Sequence, residues 1–421
     1  MSDEICNQLV IGLVAPTGTN LNKFTSCIDR ALEKFGIMST SIKLSDFIEN
    51  QVPTEGAKNN INMLNIKMTN GTKLRLKNKD ASILAKYAVA QISTNRTNFQ
   101  SKQAFVVNQL KRPEEVAYLR DIYGPLFFLI GVNDTRDNQI SFLTSGDQKF
   151  YDAAKQLINR DQQETPNDDL TAEETKSFGQ QTRATFHMAD VFFDGSQDAN
   201  TIIIEFNRFL NIVHSSPRSS PTSAEHFMYM AQTSALRSGD LSRQVGAVVI
   251  TQEGELAGTG ANDVPKAGGG QYWTEDKFDA RDHWLGFDAN KKQIDNISEN
   301  TWDSLKEFFP GFDDTLKNQI VSKLKTSAIS EITEYGRPVH AEMSAILSCT
   351  RLGVSTRNGT IFCTTYPCHN CAKHIIAAGI KQVFFIEPYP KSLAIKLHHD
   401  SIQDDILKET TENSVVMDSK R

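Results

Sequence analysis

Thr360-Ile361-Phe362-Cys363-Thr364-Thr365-Tyr366-Pro367-Cys368-His369-Asn370-Cys371 is an apolar run that breaks at a proline and delivers two cysteines three positions apart. The run predicts a strand over Thr360–Thr364, and the proline before Cys368 predicts a helix reaching Ala378. Cysteines at i and i+3 share one face of a helical turn, where the positive end of the helix and a metal both favour thiolate over thiol. Upstream, His340-Ala341-Glu342 opens a second predicted helix, His340–Cys349, and Gln382–Ile386 predicts a further strand. Helix, strand, helix and strand describe a mixed sheet with helices on its faces, so two helix N-termini converge on one point. One imidazole and two thiolates suit Zn²⁺ and leave its fourth tetrahedral position open, as in catalytic rather than structural sites. Glu342 is too close in sequence to His340 to be a comfortable ligand and is well placed to handle protons.

The competing interpretation is a closed structural site, which needs a fourth Cys or His. His369, His374, Cys363 and Cys349 are the candidates. His369 sits between the thiolates, where helical geometry points it elsewhere, and His374 lies one turn beyond Cys371.

The chain has 421 residues and a net charge of -6. One core stops growing near ~250–300 residues, so two domains are expected. Negative charge argues against general affinity for polyanions, although a small charged substrate needs only a local basic pocket. Beyond Cys368 and Cys371, the remaining Cys6, Cys27, Cys349 and Cys363 lack disulfide-framework spacing, which points to a reduced, cytoplasmic setting. The N-terminus Met1-Ser2-Asp3-Glu4 is acidic and no apolar run approaches a membrane span, so no membrane partner is expected.

Leu9–Val14 predicts a buried strand, Ala15-Pro16-Thr17-Gly18-Thr19-Asn20 a turn, and Leu21, Phe24, Ile28 and Leu32 a helix that stops at Gly36. Strand, glycine turn and helix form the context of a phosphate-binding loop, with Gly12, Pro16, Thr17, Gly18, Thr19 and Asn20 as candidate nucleotide contacts. The Walker pattern is defective, because Thr19 stands where lysine belongs and Leu13 where the first glycine belongs. Arg136, Arg160 and Arg183 are candidate phosphate ligands in a lid. The apolar runs Ala104–Val107, Leu126–Val132 and Ala189–Phe193 alternate with helical stretches at 113–120 and 201–212, which implies a parallel sheet covered on both faces. The polar stretch His214–Pro221 is the natural linker, with the boundary near residue 215. After it come a helix at Ser223–Ser238 and a hairpin, Gln244–Ile250 with Glu255–Gly260, turning at Glu253-Gly254. Residues 271–336 form an insertion in which Trp302–Phe309 and Asp314–Lys325 predict helices, and Ile406–Arg421 reads as a polar tail without a strand.

The order H-x-E followed by P-C-x-x-C is that of zinc-dependent base deaminases, in which the glutamate serves as general acid and base. Leu241–Val249, Gly260–Gly270, His340-Ala341-Glu342 and Thr364–Cys371 together resemble the deoxycytidylate deaminase family. They are most similar to its two-domain, AvcD-type dCTP/dCMP deaminases of antiphage defence, and Arg112–Val116 and Glu387–Ser392 extend the likeness over almost the whole chain. The resemblance implies an α/β chain with a P-loop-kinase-like domain at 1–215 and a cytidine-deaminase-like α/β/α domain at 220–421. It implies Zn²⁺ on His340, Cys368 and Cys371, Glu342 as the catalytic acid and base, Asn262 on the nucleoside, and a segment around Tyr389 closing over the substrate. Arg243, Lys266 and Lys391 are candidate phosphate contacts, Gly268-Gly269-Gly270 offers backbone N–H groups, and Ala341 belongs to the substrate wall. The implied activity is hydrolytic deamination of dCTP, dCMP or both, depleting dCTP during infection, under restraint by a partner RNA. A nucleotide at the first domain and a homo-oligomer are further expectations. Two alternatives stand beside this: a polynucleotide deaminase working on RNA or single-stranded DNA, and a nonenzymatic nucleotide-sensing or RNA-binding protein with a structural zinc.

Overall fold

The computed structural model describes residues 8–53, 59–96, 102–165, 171–214, 216–308, 314–387, 389, 392–404 and 415–418. The chain divides into two compact units, Met1–Ser220 and Pro221–Arg421. Among the described residues, no helix is long and apolar enough to cross a membrane.

The first unit is built on β1 (Gln8–Val14), β2 (Met38–Lys43), β3 (Gln103–Asn108), β4 (Phe127–Asn133) and β5 (Val191–Asp194). All pair in parallel, in the order β2-β3-β1-β4-β5. The period of two in β1 divides its side chains cleanly. Leu9, Ile11 and Leu13 pack with the helices Leu21–Lys34 and Ala199–Val213, whereas Val10 and Val14 pack with Ile83–Asn95 and Pro113–Tyr123. Both faces are covered, which is why β1, β3 and β4 read as continuous apolar runs. Edge strand β2, Met-Ser-Thr-Ser-Ile-Lys, escapes such a reading because it is mostly polar and largely solvent-facing. Gly36 ends the first helix at φ +66°, a left-handed conformation that glycine adopts without strain.

The second unit carries β6 (Gly246–Ile250), β7 (Leu256–Ala261), β8 (Thr360–Thr365), β9 (Gln382–Glu387), β10 (Ile402–Asp404) and β11 (Val415–Asp418) in the order β10-β11-β9-β8-β6-β7. The β6–β7 hairpin and the β6–β8 pair are antiparallel, and β8, β9, β11 and β10 run parallel. The C-terminal stretch is therefore not a strandless tail: Val415–Asp418 is inserted between β9 and β10, supplying backbone hydrogen bonds that its polar flanks conceal. Ala247, Val249, Ile361, Cys363, Val383 and Phe385 face the helices Ala341–Leu352 and His369–Ala377. The alternate residues Val248, Ile250 and Phe362 face Ser223–Ala235, completing an α/β/α sandwich.

In the insertion, Asp314–Lys325 is helical, but the helix at Trp302 differs from the sequence expectation. It begins at Ala289, ends at Leu305 and continues as a 3₁₀ turn to Phe308, so Trp302 is its buried anchor near the end rather than its start. Phe309 lies outside the described residues.

The depth of the helix Ala341–Leu352 is set by two glycines in β7. A Cβ on Gly260 would collide with the carbonyl oxygen of Ala341 and the amide of Ala345, and one on Gly258 would lie 2.8 Å from the Ala345 carbonyl oxygen. Only a bare backbone lets the helix lie so close to the sheet. Gly260→Ala is expected to destabilise this unit by about 1–3 kcal/mol or more, the range of overpacked cores, read as a lower urea midpoint with unchanged m-value.

Candidate active site

His340 and Cys368 are both N-cap residues, of the helices Ala341–Leu352 and His369–Ala377. Two helix starts therefore meet, and the Cys368 sulfur accepts the Cys371 backbone N–H at 3.4 Å as its helix's cap. His340 Nδ1 lies 3.3 Å from Cys371 Sγ and 3.4 Å from Cys368 Sγ, which makes Nδ1 the ring atom that faces the thiols. Tetrahedral zinc with Zn–N near ~2.05 Å and Zn–S near ~2.3 Å places N and S ligands roughly 3.5 Å apart. The donor set thus fits that ion in kind and spacing. Among the described residues the three ligating atoms, all within 4.8 Å of one another, gather no fourth His, Cys, Asp or Glu. Cys349 and Cys363 are fully buried in the core, and His374 Nδ1 is 2.7 Å from the Asn370 carbonyl oxygen.

Protons are shared unevenly in this trio. Hydrogen bonds from the Cys371 thiol and then from His340 push the Cys368 thiol down to about 3, while the bond to Cys368 lifts His340 to about 9 against the cost of burial. The Cys371 thiol is pushed well up by its bond to Cys368 and by burial. Such a set of one thiolate, one thiol and one imidazolium carries two protons more than the two thiolates and neutral imidazole that would bind a dication.

Glu342 sits in the first turn of its helix, 5% exposed, and its carboxyl meets the Cys371 thiol. Burial raises its pKa, opposed by the attraction of His340. A buried carboxyl beside a cluster of metal-ligand type that it does not join is equipped to hold and release a proton.

The walls are assembled by a bridge that local sequence does not announce. Asp263 and Val339 exchange backbone hydrogen bonds of 3.2 and 2.9 Å, tying the end of β7 to the residue before His340. Asn262 is thereby brought beside the cluster's segment, and its amide is already engaged there. Nδ2 donates to the Arg243 carbonyl (2.8 Å) and Oδ1 accepts the Val245 N–H (2.7 Å). Asn262 thus clamps residues 243–245, with one N–H and one lone pair beyond those bonds.

Arg243 Nη1 lies 3.1 and 3.2 Å from the two Glu387 oxygens, and its guanidinium carbon lies 5.8 Å from the Tyr389 ring centre. Lys266 is held by Asp276 at 2.9 Å inside the insertion. Gly268, Gly269 and Gly270 all have positive φ in a turn closed by the Lys266 N–H to Gly270 carbonyl bond, a built loop that only glycine fits. Ala341 is fully buried in the core of this unit. Lys391 lies outside the described residues. Glu387 and Asp263 were not among the sequence candidates. Glu387 also accepts from Thr365 Oγ1 (3.0 Å), and Asp263, 1% exposed, accepts from the Gly239 N–H and faces Arg281 at 3.6 Å. Both lie in the segments Gly260–Gly270 and Glu387–Ser392, but their partners Gly239, Arg243, Arg281 and Thr365 are distant in sequence, so spacing alone offers no signal for their roles.

In the first unit Gly12 is a strand residue, not a loop residue: a Cβ there would lie 2.7 Å from Leu110 and 2.9 Å from Phe127. Pro16 and Thr19 close the turn by a backbone bond, and Asn20 caps its helix by accepting from the Lys23 N–H. Arg136 bonds Asn159, and Arg160 bonds Glu164 and Asn65, so both are committed within their own surroundings.

Fold and site together define an α/β sandwich with a His-Cys-Cys cluster and a buried glutamate, and residues 221–387 match the family model described as cytidine and deoxycytidylate deaminase zinc-binding region. The deoxycytidylate deaminase of Enterobacteria phage T2 is 34% identical over 151 residues, 36% of this chain and 72% of that protein. The chain belongs to the deoxycytidylate deaminase family. ComE operon protein 2 of Bacillus subtilis is 53% identical over 53 residues, and the match spans 13% of this chain and only 28% of that relative's length. For the first unit, shikimate kinase from Aquifex aeolicus is similar over 50% of this chain and all of that one, at 11% identity and a TM-score of 0.28.

Proposed function

We propose that the second unit is a zinc-dependent hydrolase that deaminates free deoxycytidine nucleotides, dCMP and dCTP. The observation that carries this reading is Glu342, a carboxyl buried beside three converging ligand atoms that gather no fourth donor among the described residues. Zinc held by His340, Cys368 and Cys371 supplies a Lewis acid that makes water nucleophilic near neutral pH. Glu342 would take one proton of the attacking water and deliver it to ring N3, then take the second from the new C4 hydroxyl and pass it to the amine, so that the C4–N bond breaks, ammonia leaves and the C4 carbonyl forms. Asn262 holds the nucleoside through the amide valences that its clamp leaves open. Arg243 and Tyr389 flank the entrance, where Arg243 exchanges Glu387 for a phosphate.

Monomeric nucleotides are favoured over polynucleotides by the net charge of -6 and by the commitment of Lys266 to Asp276, because a strand-tracking groove needs uncompensated cations. Offered dCMP, dCTP, CTP and a cytosine-containing oligonucleotide, zinc-loaded protein is expected to form uracil product from the deoxynucleotides. Uracil formation confined to the oligonucleotide overturns this. The antiphage setting and the restraining RNA are proposed from the motif resemblance, and the cytoplasmic location from cysteines that lack disulfide-framework spacing; a homo-oligomer is proposed beside them.

A further inference from the structure

The turn Ala15–Asn20 has the anatomy of an anion cradle. It leads into a 14-residue helix, Gly18 holds φ +97°, and Thr19 Oγ1 is buried without a hydrogen-bond partner. The lysine missing at position 19 has a counterpart from elsewhere in the chain: Lys111, just beyond β3, points its ammonium at the turn and bonds the Ala15 carbonyl oxygen at 2.9 Å. What lies between this ammonium and the backbone amides is a carboxylate of the protein itself. Asp161, fully buried on the helix Tyr151–Gln162, places Oδ2 2.8 Å from the Thr17 N–H and 2.9 Å from Lys111 Nζ, and its Oδ1 accepts from Thr182 Oγ1 at 3.1 Å. One oxygen on a loop amide and an ammonium together is how an oxygen of a bound phosphate is held.

The surrounding contacts keep that carboxylate in place. Gln139 packs on Gly18 so closely that a Cβ there would lie 2.7 Å from the Gln139 carbonyl oxygen. Past the end of the Asp161 helix, Glu164 accepts from Thr72 Oγ1 and the Gln180 N–H, both at 2.9 Å, and Arg160 bonds Asn65 and Thr69 of the helix Asn60–Asn78.

We propose that Asp161 is an internal occupant of the anion cradle: it closes the first unit to phosphates, and a phosphate-bearing ligand enters only when residues 136–162 withdraw from the turn. The test uses the full-length chain with inorganic pyrophosphate as probe, followed by calorimetric titration and thermal melting. Asp161→Asn keeps the shape, removes the charge and leaves Lys111 a buried cation without its counter-ion, so pyrophosphate is expected to bind on the order of tenfold tighter or more than to the unaltered chain. It is also expected to raise the melting temperature of Asp161→Asn alone. Adding Lys111→Met should abolish that gain. Equal pyrophosphate affinity in Asp161→Asn and the unaltered chain overturns the proposal, as does a gain that survives Lys111→Met. Should Asp161→Asn not fold, hydrogen exchange of the unaltered chain decides. The amides of Ala15 and of residues 17–21 unchanged by pyrophosphate support an occupied cradle, and their protection overturns it.

Discussion

Glu342→Gln lowers kcat for dCMP by roughly 10³-fold or more, within or beyond the usual ~10²–10⁴ contribution of one positioned acid–base group, while the protein keeps its zinc. The glutamine occupies the same buried site in the first turn of Ala341–Leu352, so the N-cap placement of His340 and the approach of Cys368 and Cys371 are preserved. What disappears is the ability to take a proton from water and hand it first to the ring and then to the amine. Because one carboxyl serves all these transfers, no single step can be rescued by the others, and the loss falls on kcat rather than KM. Steady-state uracil formation with metal analysis on the same preparation measures it. Retained turnover would remove Glu342 from the chemistry, and lost zinc would make it a ligand.

Cys368→Ala has the opposite signature: zinc and turnover vanish together. This cysteine is the member of the trio held most firmly as thiolate, at about 3, and its sulfur also caps the helix that carries Cys371. Residues that merely support ligands cost ~10–100-fold in metal affinity, so removing a ligand should weaken zinc by at least ~10²-fold. Competition against a chromogenic chelator reads this directly. The unaltered protein should also melt at lower temperature after chelation, because a ligand that binds only the folded state stabilises it. Stoichiometric zinc and normal turnover in Cys368→Ala would place the metal elsewhere.

Much of this site is legible in the sequence because its determinants are local. Helix starts are written in a few consecutive residues, Pro367-Cys368 and Val339-His340-Ala341-Glu342, and a helix start fixes the direction of its first side chains. Apolar runs in β1, β3, β4 and β8 declare burial on both faces. By contrast, β2 and Val415–Asp418 are short and polar in context, and their partners rather than their residues make them strands. The helix at Trp302 begins well before the apolar pattern predicts, because Ala289–Leu305 is mostly polar and only Ser298 and Trp302 are buried on it.

The sequence by itself determined the His340, Cys368, Cys371 and Glu342 set, the alternation of two α/β units, and the defect in the glycine turn. Tertiary structure alone decided what surrounds them. It showed that Asn262 clamps residues 243–245, that Asp263 is bridged to Val339, and that Asp161 reaches Thr17 across 144 residues of chain. Periodicity and spacing encode which face of an element is buried and how it begins. They carry no information about which distant polar group satisfies a buried amide or ammonium, because that depends on how the elements are stacked once the core has formed.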